Sequence, residues 1–273
     1  MTHSRKHAAA LLEAHGLAPR RALGQNFVVD PNTVRRIVRL AGVGADDHVV
    51  EVGAGLGSLT LGLADTGADV IAVEYDSGLA AAVTEVVASR ANVRVVEGDA
   101  LKLDWHVLLA DAPSWVLVAN LPYNVATPMV ADLLDGVPEI RRFFVMVQRE
   151  VAERFAAAPG SKTYGALSVK VAYWATARLV GDVPPTVFLP RPNVMSSLVE
   201  ITRRPTPAVG PEVTPERLFT VVRAGFAHRR KTLHNALAGV VDDAAFEAAG
   251  VSPGARAEQL DVAAWGRLAA AAS

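Results

Sequence analysis

In the middle of the chain, short runs rich in Val, Ile and Phe alternate with stretches whose apolar residues recur at helical spacing. His48–Val52, Asp69–Glu74, Val93–Glu97, Trp115–Asn120 and Arg142–Val147, each bounded by turn residues, read as strands. Ser58–Asp65, Ser77–Ser89, the weakly patterned Trp105–Ala110 and Pro128–Leu134 read as the helices between them. Strands apolar on both faces and joined by crossover helices predict a doubly wound, mostly parallel α/β sheet covered on both sides. Ahead of it, Asp30-Pro31 gives an N-cap with proline at the first helical position, opening a helix through about Ala41.

After Arg203 the pattern changes. Arg204-Pro205-Thr206-Pro207 and Gly210-Pro211 form a proline-rich linker, and strand signals stop. Helical runs follow from Thr214-Pro215 to about Ala227, over Thr232–Val240, over Asp243–Ala249 and over Asp261–Ala272. The expected organisation is an N-terminal arm (1–22), an α/β domain (23–204) and a small all-α domain (212–273). The last is near the lower size limit for independent stability and is expected to dock on the first.

Composition narrows the function classes. The chain of 273 residues is 51% apolar and lacks cysteine, which excludes a disulfide scaffold, zinc-cysteine sites and thiol chemistry. No apolar run approaches the roughly 18 residues of a membrane span. The basic N-terminus is followed by an apolar run that Glu13 cuts short, so a cytoplasmic protein is expected. His3 and His7 share helical spacing, but in a segment read as a mobile tail, so no metal site is expected.

Net charge is −1, yet the charges are segregated. Residues 1–44 carry an excess of five positive charges, 46–140 twelve negative, and 141–204 six positive. An acidic centre repels phosphate, so any nucleic acid must be held by the basic flanks. Ordinary solvated helix faces are the alternative.

Val52 runs into Gly53-Ala54-Gly55-Leu56-Gly57-Ser58, where glycines permit a tight turn before a helix N-terminus. This GxGxG spacing suits a nucleoside better than a pyrophosphate, with NAD as the competing ligand. Glu51, Glu74 and Asp99 stand at the ends of successive strands, and Glu74 is placed to accept from ribose hydroxyls. At the end of the fourth strand, Asn120-Leu121-Pro122-Tyr123 offers a carboxamide, a proline-fixed turn and an aromatic ring. The Asn120 oxygen and the Leu121 carbonyl can accept both N–H bonds of an exocyclic amine while Tyr123 stacks on the base. A plain β-turn with a core tyrosine is the alternative.

With these motifs the chain closely resembles the ribosomal RNA adenine dimethyltransferase family, in its bacterial small-subunit branch. The resemblance runs from about Leu23 to Leu268. It is carried by Leu23-Gly24-Gln25-Asn26-Phe27, Glu51 to Gly57, Glu74-Tyr75-Asp76, Gly98-Asp99-Ala100 and Asn120 to Tyr123. The family implies a Rossmann-like methyltransferase sheet and S-adenosyl-L-methionine as cofactor, leaving S-adenosyl-L-homocysteine. Gln25, Asn26, Phe27, Glu51, Gly53, Gly55, Gly57, Glu74, Tyr75, Asp99, Ala100 and Asn120 would hold that cofactor. Asn120, Leu121, Pro122, Tyr123 and Phe188 would serve the target adenine, with Phe188 on the ring face opposite Tyr123. Without the resemblance, Phe188 reads as a core residue before a proline-rich loop. The chain departs from the family at Asn193-Val194-Met195-Ser196, where Lys-Val-Asp-Ser is usual, and at His234, where Arg is commoner.

The resemblance further implies N6,N6-dimethylation of two adjacent adenosines near the 3′ end of small-subunit rRNA, within the 30S particle, by a monomer. Arg20, Arg21, Arg141, Arg142, Arg149, Arg154, Arg223, Arg229, Arg230 and Lys231 are the expected phosphate contacts. Two alternatives remain: an assembly checkpoint factor acting mainly by binding the immature subunit, and a large-subunit rRNA methyltransferase conferring antibiotic resistance.

Overall fold

The computed structural model describes residues 2–20, 24–122, 125–228 and 230–272. In chain order the elements begin with α1 (Arg5–Ala14), β1 (Phe27–Val28), α2 (Pro31–Ala41), β2 (His48–Val52), α3 (Ser58–Ala64), β3 (Asp69–Glu74) and α4 (Ser77–Val86). β4 (Val93–Glu97), α5 (Trp105–Leu108), β5 (Trp115–Asn120), α6 (Ala126–Gly136), β6 (Ile140–Gln148) and α7 (Arg149–Phe155) follow. The chain continues through α8 (Ala166–Trp174), β7 (Ala175–Val183), β8 (Phe188–Leu189) and β9 (Ser196–Arg203). It ends in α9 (Pro215–Ala227), α10 (Leu233–Ala236), α11 (Asp243–Ala249) and α12 (Val262–Ala271).

Seven strands form one sheet in the order β4-β3-β2-β5-β6-β9-β7. β4, β3, β2, β5 and β6 are parallel, as their two-sided apolar character predicts, and β9 joins antiparallel to β6. The chain leaves β2 towards β3 and β4, then returns to lay β5 on the other side of β2. That reversal opens a crevice at the carboxyl ends of β2 and β5, where sheets of this class bind ligands. The remaining two-stranded sheet pairs β1 with β8, setting Val28 opposite Phe188.

Local chemistry explains the edges of the elements. Asp30 caps α2 by accepting from the backbone N–H groups of Asn32 and Thr33, with Pro31 next and left-handed Gly42 ending the helix. Val34, Ile37 and Ala41 then bury one face of α2 against Val49, Val116, Phe144 and Leu198 of the sheet. Residues 5–14, read above as a mobile tail, form a packed helix. Ser4 caps it, and Ala8 and Leu12 bury with Phe27, Leu56 and Leu79. Arg5 ties it further by donating to the carbonyls of Thr186 and Phe188.

By internal packing the chain divides into Met1–Ala152 with Arg178–Thr202, and Glu153–Ala177 with Arg203–Ser273. The second unit thus takes in α8 and the segment before it, which the boundary drawn at 204–212 would leave in the α/β domain. The reason is apolar: Tyr164, Val169 and Tyr173 pack with Leu218, Phe246 and Trp265. Tyr164 also donates to the Leu260 carbonyl at 2.9 Å. In α9, a Cβ added at Gly225 would run into the Trp265 ring. An ordinary mid-helix glycine gains about 1 kcal/mol on becoming Ala. Gly225→Ala should instead lose roughly 1–3 kcal/mol by overpacking, seen as a lower urea midpoint.

Candidate active site

One cavity of about 290 Å³ lies at the carboxyl ends of β2, β3, β4 and β5. β2 delivers Glu51, Gly53 and Gly55; β3 delivers Glu74 and Tyr75; the turn after β4 delivers Asp99, Ala100 and Leu101; β5 delivers Asn120, Leu121 and Pro122. Gln25, Asn26 and Phe27 close it from the segment leading into β1. The structure therefore brings together eleven of the twelve expected cofactor residues and three of the five expected base residues. Tyr123 lies outside the described residues.

The glycine turn is held from below. The Gly53 N–H donates to the Val73 carbonyl at 2.8 Å. Gly55 has φ +57°, and a Cβ there would come within 2.8 Å of the Phe27 ring. Glycine is required at this position for both conformation and space. Gly57, the remaining expected cofactor residue, does not line the cavity. With φ +79° it faces Val83 and Val86 of α4, so its role is to let α3 and α4 pack closely.

The carboxylates are not equivalent. Glu74 accepts from the Gly55 N–H at 2.7 Å and the Asp76 N–H at 2.9 Å, so the turn is fastened to the end of β3. Its burial raises its pKa, against the pull of these hydrogen bonds. Lone pairs remain for ribose hydroxyls, since a carboxylate offers about four acceptor sites. Glu51 is fully buried and accepts from the Thr60 hydroxyl at 2.6 Å. Burial pushes its carboxyl up to about 8, with the neighbouring Glu74 adding to the rise.

A carboxyl whose pKa rises on folding stabilises the fold most below its unfolded value. It loses that contribution as pH climbs through the folded value. Wild-type stability relative to Glu51→Gln should accordingly fall between about pH 4.5 and 8 and level off above. Paired urea titrations across that range would read it, and a constant difference would refute the burial effect.

Asn120 is the pivot. Its Nδ2 donates to the Asn26 carbonyl at 2.9 Å, and Asn26 donates through its own side chain to the Gly24 carbonyl at 3.0 Å. A carbonyl accepts only, so this bond fixes which end of the Asn120 amide is nitrogen. Asn120 Oδ1 has no partner among the described residues and is available to an incoming N–H. The N-terminal segment braces the same site: the His3 ring bonds the Leu56 carbonyl at 2.7 Å, and the His3 backbone N–H donates to the Ser58 hydroxyl.

A model of the family described as ribosomal RNA adenine dimethylase matches residues 16–272. The chain belongs to the ribosomal RNA adenine dimethylase family. Family membership makes it a methyltransferase. It is 52% identical to the ribosomal RNA small subunit methyltransferase A of Cutibacterium acnes over 260 residues, covering 90% of this chain and 86% of that one. Among solved structures, a dimethyladenosine transferase of Plasmodium falciparum shares the fold at a TM-score of 0.73 and 24% identity, covering 88% of this chain and 94% of that one. The 23S rRNA methyltransferase ErmE follows at 0.69 and 27%, covering 89% and 98%.

In this ribosomal RNA adenine dimethylase, two expected roles need correction. Phe188 is not at the cavity. Its ring is fully buried in the apolar cluster with Val28, Val34 and Leu198, because strand pairing to β1 turns it inward. Arg142 is largely buried, donates to the Ala41 carbonyl and lies 3.7 Å from Glu200, so it serves the fold at the end of α2. Arg20 and Arg149 are exposed but already paired, with Asp76 at 3.0 Å and Asp182 at 3.5 Å. Arg154 is half-buried, whereas Arg141, Arg223, Arg230 and Lys231 are exposed. Arg21 and Arg229 lie outside the described residues.

Sequence reasoning missed Leu56, Leu101, Val125 and Met129, which supply apolar walls of the cavity. Exposure at Leu101 (48%) and Tyr75 (60%) is the one trait that sets them apart from core residues, and it shows only in three dimensions. Thr60, the partner of Glu51, was missed as well; its spacing one turn into the helix after the glycines was the available signal.

No helix among the described residues is long and apolar enough to cross a membrane.

Proposed function

We propose that this enzyme uses S-adenosyl-L-methionine to dimethylate N6 of two adjacent adenosines near the 3′ end of small-subunit rRNA, acting as a cytoplasmic monomer on the 30S particle. The observation that carries the reading is Asn120: an amide held by Asn26 so that its oxygen is the acceptor left over, in the same cavity as the glycine turn.

The cavity fits the cofactor. Glu74, at the end of β3, would accept from ribose hydroxyls; Tyr75 and Leu101 offer flat apolar surface for an adenine ring, with Asp99 beside it. The bound cofactor would supply a methyl group made electrophilic by its sulfonium. Asn120 Oδ1 and the Leu121 carbonyl would accept the two N–H bonds of the target amine. These bonds orient the nitrogen and draw electron density back from the purine ring, which otherwise makes the amine a poor nucleophile. The acceptor base must leave its stack to reach them, so a splayed or single-stranded adenosine is the substrate.

Small-subunit specificity is supported by the 52% identity to a small-subunit enzyme against 27% to a large-subunit one. The test is incubation of undermethylated small and large subunits with labelled cofactor, followed by nucleoside mass spectrometry. N6,N6-dimethyladenosine should appear in the small subunit alone. Its absence there would defeat the reading, and its appearance in the large subunit would establish the antibiotic-resistance alternative.

A further inference from the structure

The outer face of α2 carries arginines that form no ion pair among the described residues. Val34, Ile37 and Ala41 point into the core, which leaves Arg35, Arg36 and Arg39 on the other side of the helix. Arg39 has no hydrogen-bond or ion-pair partner among the described residues. Arg35 bonds only the amide oxygen of Asn32, at 2.5 Å, and feels the charge of Asp30 without an ion pair. Arg36 donates to a main-chain carbonyl, that of Asp182 in β7, at 2.9 Å. The helix carries no acidic residue, although the α/β portion from 46 to 140 is strongly acidic.

The positive surface extends beyond the helix. Arg178 of β7 is exposed and shares Glu200 with Arg142. Arg149 pairs with Asp182, whose carbonyl Arg36 already engages. Arg149 and Arg178 are paired with Asp182 and Glu200, while Arg35, Arg36 and Arg39 form no ion pair among the described residues, so positive charge is left over on the helix. Arg142 near the start of β6 and Arg149 just past its end are separated by about 23 Å at 3.3 Å per residue. Arg149 also stands at the end of the sheet where Asn120 pairs with Met146, so the rim begins at the active-site end.

Several arginines spread along one helix face and the neighbouring strand, with forked donors, match a chain of phosphates better than any single anion. We propose that the outer face of α2 and the adjoining rim of β7 bind the phosphate backbone of the substrate RNA. They would position the particle relative to the cavity without reading its sequence. The inference rests on the rRNA activity proposed for the cavity and adds a second binding surface to it.

The experiment compares wild type, Arg35→Gln/Arg39→Gln and Arg35→Lys/Arg39→Lys on undermethylated small subunits and on protein-free small-subunit rRNA, across a salt series. Neither arginine touches the cavity or the core, and matched melting temperatures would show intact folding. The glutamine variant should bind both targets at least tenfold more weakly near 0.1 M salt. Its log-log salt slope should be shallower by about 0.7–0.9 for each phosphate that is no longer neutralised. KM for the particle should rise while kcat at saturation stays put, and the lysine variant should recover most of the affinity. Unchanged affinity and slope would overturn the surface and leave the methyltransferase reading standing. Weaker binding to the particle alone, with protein-free rRNA bound as before, would assign the face to a ribosomal protein and also overturn it. A wild type that binds neither target would overturn both proposals.

Discussion

Asn120→Ala should lower kcat for methyl transfer by about 10²–10³-fold, the usual cost of removing one polar group aimed at the reacting centre. Binding of the small subunit should stay within about twofold, because the side chain reaches only the cavity and the Asn26 carbonyl. Asn120→Asp sharpens the expectation. It keeps an oxygen towards the amine but sets a second oxygen against the Asn26 carbonyl, where an N–H donates in the native protein. That variant should therefore also fail, with part of the defect arising from displacement of the 24–27 segment. Single-turnover methylation alongside particle binding separates the outcomes. Loss of both together would mean that Asn120 supports the docked conformation rather than the chemistry. Assembly supported by a catalytically dead, binding-competent protein would instead establish a checkpoint role independent of methylation.

Phe188→Ala should cost about 3–5 kcal/mol of stability, since it deletes a fully buried ring from a packed cluster. Phe188→Leu, which refills most of that space, should cost under about 1.5 kcal/mol and leave kcat and KM close to wild type. Chemical denaturation and steady-state kinetics on the leucine variant decide the matter. A stable Phe188→Leu enzyme with sharply reduced turnover would return the ring to the substrate base.

Legibility in the sequence followed the physics of burial. β2, β3, β5 and β6 were readable because both their faces are covered, which forces runs of Val, Ile and Phe, and the half-exposed edge strand β4 was readable from its three valines. β7, the opposite edge strand, escaped notice because its Gly, Arg and Asp residues break any apolar run and Thr176, Arg178 and Leu179 are exposed. The two-residue strands β1 and β8 are too short for any periodicity, although their pairing decides where Phe188 points. α1 looked like a tail because its apolar face is narrow, with only Ala8 and Leu12 buried; its docking is decided by partners far along the chain.

The same held for the site. Glu74, Asp99 and Asn120 carry chemistry and fall at strand ends, so their positions could be read directly. The Asn26 carbonyl that orients Asn120 is main chain and has no residue signature. Pairing in the fold also removed candidates that charge alone had suggested: Arg142 reads as a surface cation until Ala41 and Glu200 are seen beside it. The proposed α2 face emerged by the opposite route, as arginines whose charge the fold leaves uncompensated.

The anchoring of α1 has a consequence for vectorial synthesis. Arg5 donates to carbonyls 181 and 183 residues downstream, and His3 bonds one 53 residues downstream. At about 5–20 residues per second, α1 waits some 10–40 s after its own synthesis before its last anchor is translated. Throughout that interval Arg5 has no native partner on the β8 side, so a nascent-chain protease pulse should cut near the N-terminus long after the central strands have become resistant.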